Sequence, residues 1–168
     1  THTECGAVYV YQKRTIHGVW ERVAVLVAPN PWYRSGTRFG RSLGLSNGTL
    51  VVGADHHYPD VGHTEAQATR SHRAYVFELD DSDVSTRVGT KWTHAGNLTW
   101  PLNHAFSDAS GTRFGSRHGV AVSNDWIAIG APGEEAVFMF RRGKLDGEVV
   151  WQPSQRLRRV NHFEVFVL

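Results

Sequence analysis

An all-β chain assembled from four-stranded antiparallel units is the fold class this sequence predicts, and three observations predict it. The hexapeptide Ser35-Gly36-Thr37-Arg38-Phe39-Gly40 returns letter for letter 75 residues later as Ser110-Gly111-Thr112-Arg113-Phe114-Gly115. Each copy is followed by an apolar stretch, a Ser-Asn turn and a second apolar stretch, closing at Gly53-Ala54 and at Gly130-Ala131-Pro132. Beyond each Gly-Ala stands an alternating aromatic segment and then a Trp. Self-similarity at a fixed period marks a repeat architecture, and four short antiparallel strands per unit is the make-up of a β-propeller blade.

The elements follow in order. Asn47-Gly48 predicts a two-residue hairpin, because both positions tolerate positive φ; Asn124-Asp125 is a weaker form of the same turn. The aromatic strands are Tyr75-Val76-Phe77 and Val137-Phe138-Met139-Phe140, with a third copy, Ala7-Val8-Tyr9-Val10-Tyr11, ahead of the first Phe-Gly. Trp20, Trp92 and Trp151 open the strands that answer them. The stretch from Thr64 to Ser71 lacks an apolar i, i+3, i+4 stripe and reads as a long loop with at most one helical turn.

Residues 6–34 therefore supply a partial blade, 35–109 one blade and 110–160 another, with the strand content of the two full units in 39–98 and 114–159. The segment 161–168 reads as the opening strand of a further unit, although Glu164 stands where Gly is expected. About two and a half blades fall short of the roughly four to eight that close a propeller. Each unit of such an array buries its faces against its neighbours. The preferred expectation is a fragment of a larger propeller, ahead of assembly with other chains or an open stack.

Phe39-Gly40 with Gly53-Ala54, and Phe114-Gly115 with Gly130-Ala131-Pro132, resemble the FG-GAP repeat of integrin α-chain propellers, and the aromatic and Trp strands look most like its non-integrin members. The resemblance covers nearly the whole chain. It implies an extracellular setting and a role in binding or adhesion. It also implies where calcium would sit in the integrin form, in an Asp-x-Asp-x-Asp-Gly loop between the first two strands. Those positions here hold Ser46-Asn47-Gly48 and Ser123-Asn124-Asp125. They are too short and too poor in carboxylates to wrap an ion that takes six to eight oxygens, so calcium is not expected in these hairpins and no cofactor is assigned.

Composition narrows the function classes. A net charge of +2, with basic residues that are mostly Arg, gives no broad field for nucleic acid, and Arg156, Arg158 and Arg159 read as solvated strand charge. No apolar run is long enough for a helical membrane span. Cys5 is the only cysteine, so no internal disulfide forms. Asp80, Asp81 and Asp83 read as a solvated turn. The best chemical candidate is the loop after Ala54, where His56, His57 and His63 lie with Asp60, Glu65 and His72. Imidazoles with carboxylates can hold zinc or another first-row ion, but the spacing fits no established motif, and surface imidazoles bonding locally account for it as well. No nucleophile elbow or H-E-x-x-H supports catalysis. Asn47-Gly48-Thr49 and Asn97-Leu98-Thr99 are N-glycosylation sequons, which suit a secretory route.

The expectation is a non-catalytic extracellular module, binding other protein chains, further blades or glycans, or building a cell-surface or filamentous assembly. The alternatives are the propeller part of a secreted enzyme acting on surface polymers, and a sugar-binding lectin.

Overall fold

The computed structural model describes residues 6–13, 17–29, 38–54, 73–80, 91–99, 114–116 and 119–158. It is all-β, with three antiparallel sheets in chain order. The first sheet pairs β1 (Val8–Lys13) with β2 (Trp20–Leu26). The middle sheet runs β3 (Phe39–Ser46), β4 (Thr49–Ala54), β5 (Arg73–Asp80) and β6 (Lys91–Leu98), each hydrogen-bonded to the next. The third repeats that order with β7 (Val120–Val122), β8 (Trp126–Ala131), β9 (Ala136–Leu145) and β10 (Glu148–Arg158). Among the described residues the only helical piece is a 3-10 turn at Pro132–Glu134, and no helix is long and apolar enough to cross a membrane.

Turn chemistry sets the registers. Asn47 and Gly48 have φ of 44° and 77°, the primed turn whose twist matches the flanking strands, and Ser46 pairs with Thr49 across it. Asp146-Gly147 makes a second such turn between β9 and β10, with φ of 52° and 87°. Asn124 and Asp125 do not take positive φ; Ser123 N–H instead donates to Trp126 O at 2.8 Å to close that hairpin.

The aromatic and Trp strands repeat in all three sheets with one register. Lys13 faces Trp20, Leu79 faces Trp92 and Arg142 faces Trp151. Three residues beyond each Trp the pairing skips one position, at Val23, Ala95 and Ser154. The same bulge at the same distance from Trp gives each hairpin the same added twist. Farther along, Val8 faces Leu26, Ala74 faces Leu98 and Val137 faces Leu157. Pro153 lies on the edge strand β10 beside the bulge at Ser154, the two settings in which a sheet tolerates proline.

The second Phe-Gly departs from the first. Phe39-Gly40 open β3, whereas Phe114-Gly115 lie in a turn ahead of a three-residue β7. Two extra residues stand between Gly115 and the Ser-Asn turn. Gly119 N–H donates to Ser116 O at 2.8 Å, and β7 begins only at Val120.

Strand alternation sends successive side chains to opposite faces, and the middle sheet uses both faces for packing. Val8, Leu26 and Ala28 from the first sheet join Phe39, Leu50, Val52, Ala54, Tyr75 and Phe77 in one buried cluster. Val51, Ala74, Val76 and Leu98 point the other way and join Phe114, Ile127, Ile129, Phe138 and Phe140 of the third sheet. The three sheets thus stack face to face in the order of the chain.

Candidate interaction surface

The two junctions between sheets are built alike. In the middle sheet the Phe39 ring lies 5.5 Å from Tyr75, tilted, and 6.1 Å from Phe77, edge-on at 82°. In the third sheet Phe114 lies 5.5 Å from Phe138 and 6.3 Å from Phe140, the latter edge-on at 83°. Each trio is buried and faces the preceding sheet. Such pairs contribute about 0.5–1.5 kcal/mol each beyond the area they bury.

The motif glycines have a steric reason. Gly40 and Gly115 sit at φ of 91° and 71°, a region open to glycine at little cost. Both lie over the backbone that enters the preceding aromatic strand. A Cβ on Gly40 would be 3.5 Å from Ala7 O and one on Gly115 3.8 Å from Arg73 O. Gly53 is tighter. A Cβ there would come well under 3.0 Å of Ser42 Oγ and of the Gly115 carbonyl oxygen. The Ser42 hydroxyl, itself buried, donates to that carbonyl at 2.6 Å and so joins the middle sheet to the third.

Two further polar links cross this junction. Glu78 accepts from the buried Thr49 hydroxyl at 2.8 Å and from the Trp151 indole N–H at 3.4 Å. At the hairpin tips, the Asn47 side-chain amide donates to Asn124 Oδ1. Within the third sheet Arg156 pairs with Glu134 and lies 5.3 Å from the Phe138 ring centroid.

The first sheet presents the same front face uncovered. By register, Tyr9 and Tyr11 correspond to Tyr75 and Phe77 and to Phe138 and Phe140, and Trp20 to Trp92 and Trp151. The later ring pairs are buried, while Tyr9, Tyr11 and Trp20 are 54%, 53% and 67% exposed. Val25, opposite Tyr9, is also exposed, and the Arg22 guanidinium lies 5.9 Å from the Tyr9 ring centroid. Leu43 and Leu45 of β3 are 50% and 65% exposed, whereas their counterparts Val120 and Val122 pack against the middle sheet. Together these residues make up most of the exposed large hydrophobic side chains among the described residues. Monomeric proteins seldom leave such a face bare without an interaction to serve.

The sequence-derived site residues divide. Phe39, Gly40, Gly53, Ala54, Phe114, Gly115, Gly130 and Ala131 meet at or beside the two junctions, and Pro132 begins the 3-10 turn after β8. His56, His57 and His63, with the rest of the His-rich loop, lie outside the described residues, as do Asp81, Asp83 and residues 161–168. Among the described residues no group of three His, Cys, Asp or Glu is placed to hold a metal ion. Asn47 is exposed, but its amide is engaged by Asn124, and Thr49 of its sequon is buried. Asn97 is exposed with Thr99, and its Oδ1 meets His94 Nε2 at 3.0 Å.

Sequence reasoning missed Ser42, Glu78 and the exposed Tyr9–Tyr11–Trp20 face. Ser42 and Glu78 carry no motif signal. The face carries the same aromatic pattern as the two covered ones, so the sequence does not set it apart from them. Neither a protein-family model nor a curated protein matches the chain.

Proposed function

We propose that the chain is a segment of an FG-GAP-type β-propeller that serves as an extracellular, non-catalytic module, presenting its faces and loops to other protein chains or to glycans. One observation carries the reading. The middle and third sheets each stack their front aromatics on the back of the sheet before them, and the junction recurs with the same ring geometry. Blades of a propeller repeat in this way, side by side, so that each contacts only its neighbours. Gly53 of the first Gly-Ala pair and Gly115 of the second Phe-Gly pair meet at a close backbone approach between the middle and third sheets, which supports the resemblance on physical grounds. The two sequons support a secretory route. The functional reading rests on surfaces.

Two measurements test it. Electron-microscopy class averages of the protein should show sheets arranged radially about an axis; a linear or closed two-layer arrangement would overturn the propeller. Immunolabelling of intact, unpermeabilised source cells should stain the surface. Staining only after permeabilisation would overturn the extracellular assignment.

A further inference from the structure

We infer that the open edge of β1, with the Tyr9–Tyr11–Trp20 face and Leu43 and Leu45, is a docking surface for one more Phe-Gly/Gly-Ala strand pair of this same repeat. The inference rests on reading the chain as a repeat array.

Register points to this occupant first. In the middle and third sheets an inner strand pair precedes the aromatic strand, β3–β4 before β5 and β7–β8 before β9. Among the described residues β1 pairs with β2 alone, so the edge that β5 and β9 give to an inner strand is open. In the other two sheets a Phe at or ahead of the start of the inner pair lies over the two aromatic rings, Phe39 over Tyr75 and Phe77, and Phe114 over Phe138 and Phe140. Tyr9 and Tyr11 occupy those ring positions, are half exposed, and among the described residues no Phe lies over them.

A second observation points the same way. The back of the inner pair covers the first strand of the following sheet. A Cβ on Gly44 would lie 2.7 Å from Val122 Cγ2 and 3.0 Å from Val120 Cγ1, which shows how closely β3 approaches β7. The counterparts of Val120 and Val122 are Leu43 and Leu45, fixed by the pairs Leu43 with Val52 and Leu45 with Leu50 against Val120 with Ile129 and Val122 with Ile127. Both leucines are exposed. A strand pair added to β1 would place its back over them while its Phe reaches Tyr9 and Tyr11. A flat ligand on the tyrosines would cover only one of the two groups. Strand addition uses main-chain bonds for affinity and alternate side chains for choice of partner, and here the choice is a Phe at the ring position.

The test uses the 168-residue chain and a synthetic peptide of residues 35–54, the chain's own inner pair, labelled for fluorescence anisotropy. Saturable one-to-one binding is expected. It should weaken at least about tenfold, some 1.4 kcal/mol, when Tyr9→Glu and Tyr11→Glu are combined, and similarly when the peptide carries Phe39→Ala. Trp20→Ser, a change at an exposed ring, is a second variant that leaves folding intact, and weaker binding is expected there too. Absence of binding, or binding indifferent to all three changes, overturns the inference. Self-association abolished by the same variants, without peptide binding, assigns the face to a second copy and overturns it as well. A radial stack by microscopy with no peptide binding would sink this inference alone, whereas the absence of a radial stack sinks the propeller reading first.

Discussion

Replacing Gly53 by Ala tests the close approach between the middle and third sheets. Gly53 does not lie in the left-handed region, so alanine brings no backbone strain, and a strand glycine replaced in open space would gain about 0.5–1 kcal/mol. At this position the new methyl meets Ser42 Oγ and the Gly115 carbonyl oxygen at once. The carbonyl cannot easily retreat, because Gly115 N–H is held by Gly130 O at 2.9 Å. Inserting a methyl into a packed site costs about 1–3 kcal/mol. Breaking the buried Ser42–Gly115 hydrogen bond adds about 1–3 kcal/mol, since the carbonyl would be left without its donor. Against the small propensity gain, the net is about 3 kcal/mol, or a fall in Tm of about 6–12 °C for a domain of this size. Thermal melts followed by tryptophan fluorescence measure it. Gly96→Ala is the control, because a Cβ there meets nothing within 4 Å. Adding Ser42→Ala removes one of the two obstacles, so the double variant should be less destabilised than the sum of the singles. If Gly53→Ala melts together with Gly96→Ala, close backbone approach is not what places glycine in the Gly-Ala motif.

Phe114→Ala should lower stability by about 3–5 kcal/mol, because the ring is buried against Phe138 and Phe140; urea denaturation at constant m reads it. Glu78→Ala should cost about 1–3 kcal/mol, since it strands the buried Thr49 hydroxyl and the Trp151 indole N–H; a loss below that of Glu148→Ala, on an exposed strand end, would remove Glu78 from the junction. Expression through a eukaryotic secretory pathway should yield an endoglycosidase-sensitive gel shift that Asn97→Gln abolishes, because Asn97 and Thr99 are exposed while Thr49 of the other sequon is buried. Persistence of the full shift in Asn97→Gln would transfer the glycan to Asn47.

Strand order and turn chemistry were legible because they are written locally. Asn47-Gly48 takes the positive φ pair its residue types permit, and the Trp strands pair with the aromatic strands as their alternation requires. Asp146-Gly147 carries the same local signal but has no duplicate at the matching turn of the first unit, so the repeat does not point to it. Asn124-Asp125 forms its hairpin by another geometry, as a turn without glycine must when neither residue goes left-handed. The late start of β7 was less legible, since two extra residues can enter as strand or as turn and the sequence does not distinguish them. Ser42 and Glu78 were out of reach: a hydroxyl and a carboxylate acquire their meaning from partners 73 residues away in the chain.

The deeper signal lies in β4. Thr49 to Ala54 is buried at every position, and its Leu50-Val51-Val52 core reads as continuous apolar sequence rather than alternation. An antiparallel sheet with one wet face alternates; a strand buried on both faces does not. Val52 goes to the first sheet and Val51 to the third, so this short run already requires a neighbour on either side. The same logic applied to β1 gives the opposite result. Val8 and Val10 face the middle sheet, and Tyr9 and Tyr11 face outward with the amphipathic character of rings that tolerate water but pack well when covered. Two middle-sheet residues, Tyr75 and Phe77, show what that position looks like once it is filled. The front of the first sheet is therefore an interface of the same kind as the two already formed, differing in occupancy rather than in design.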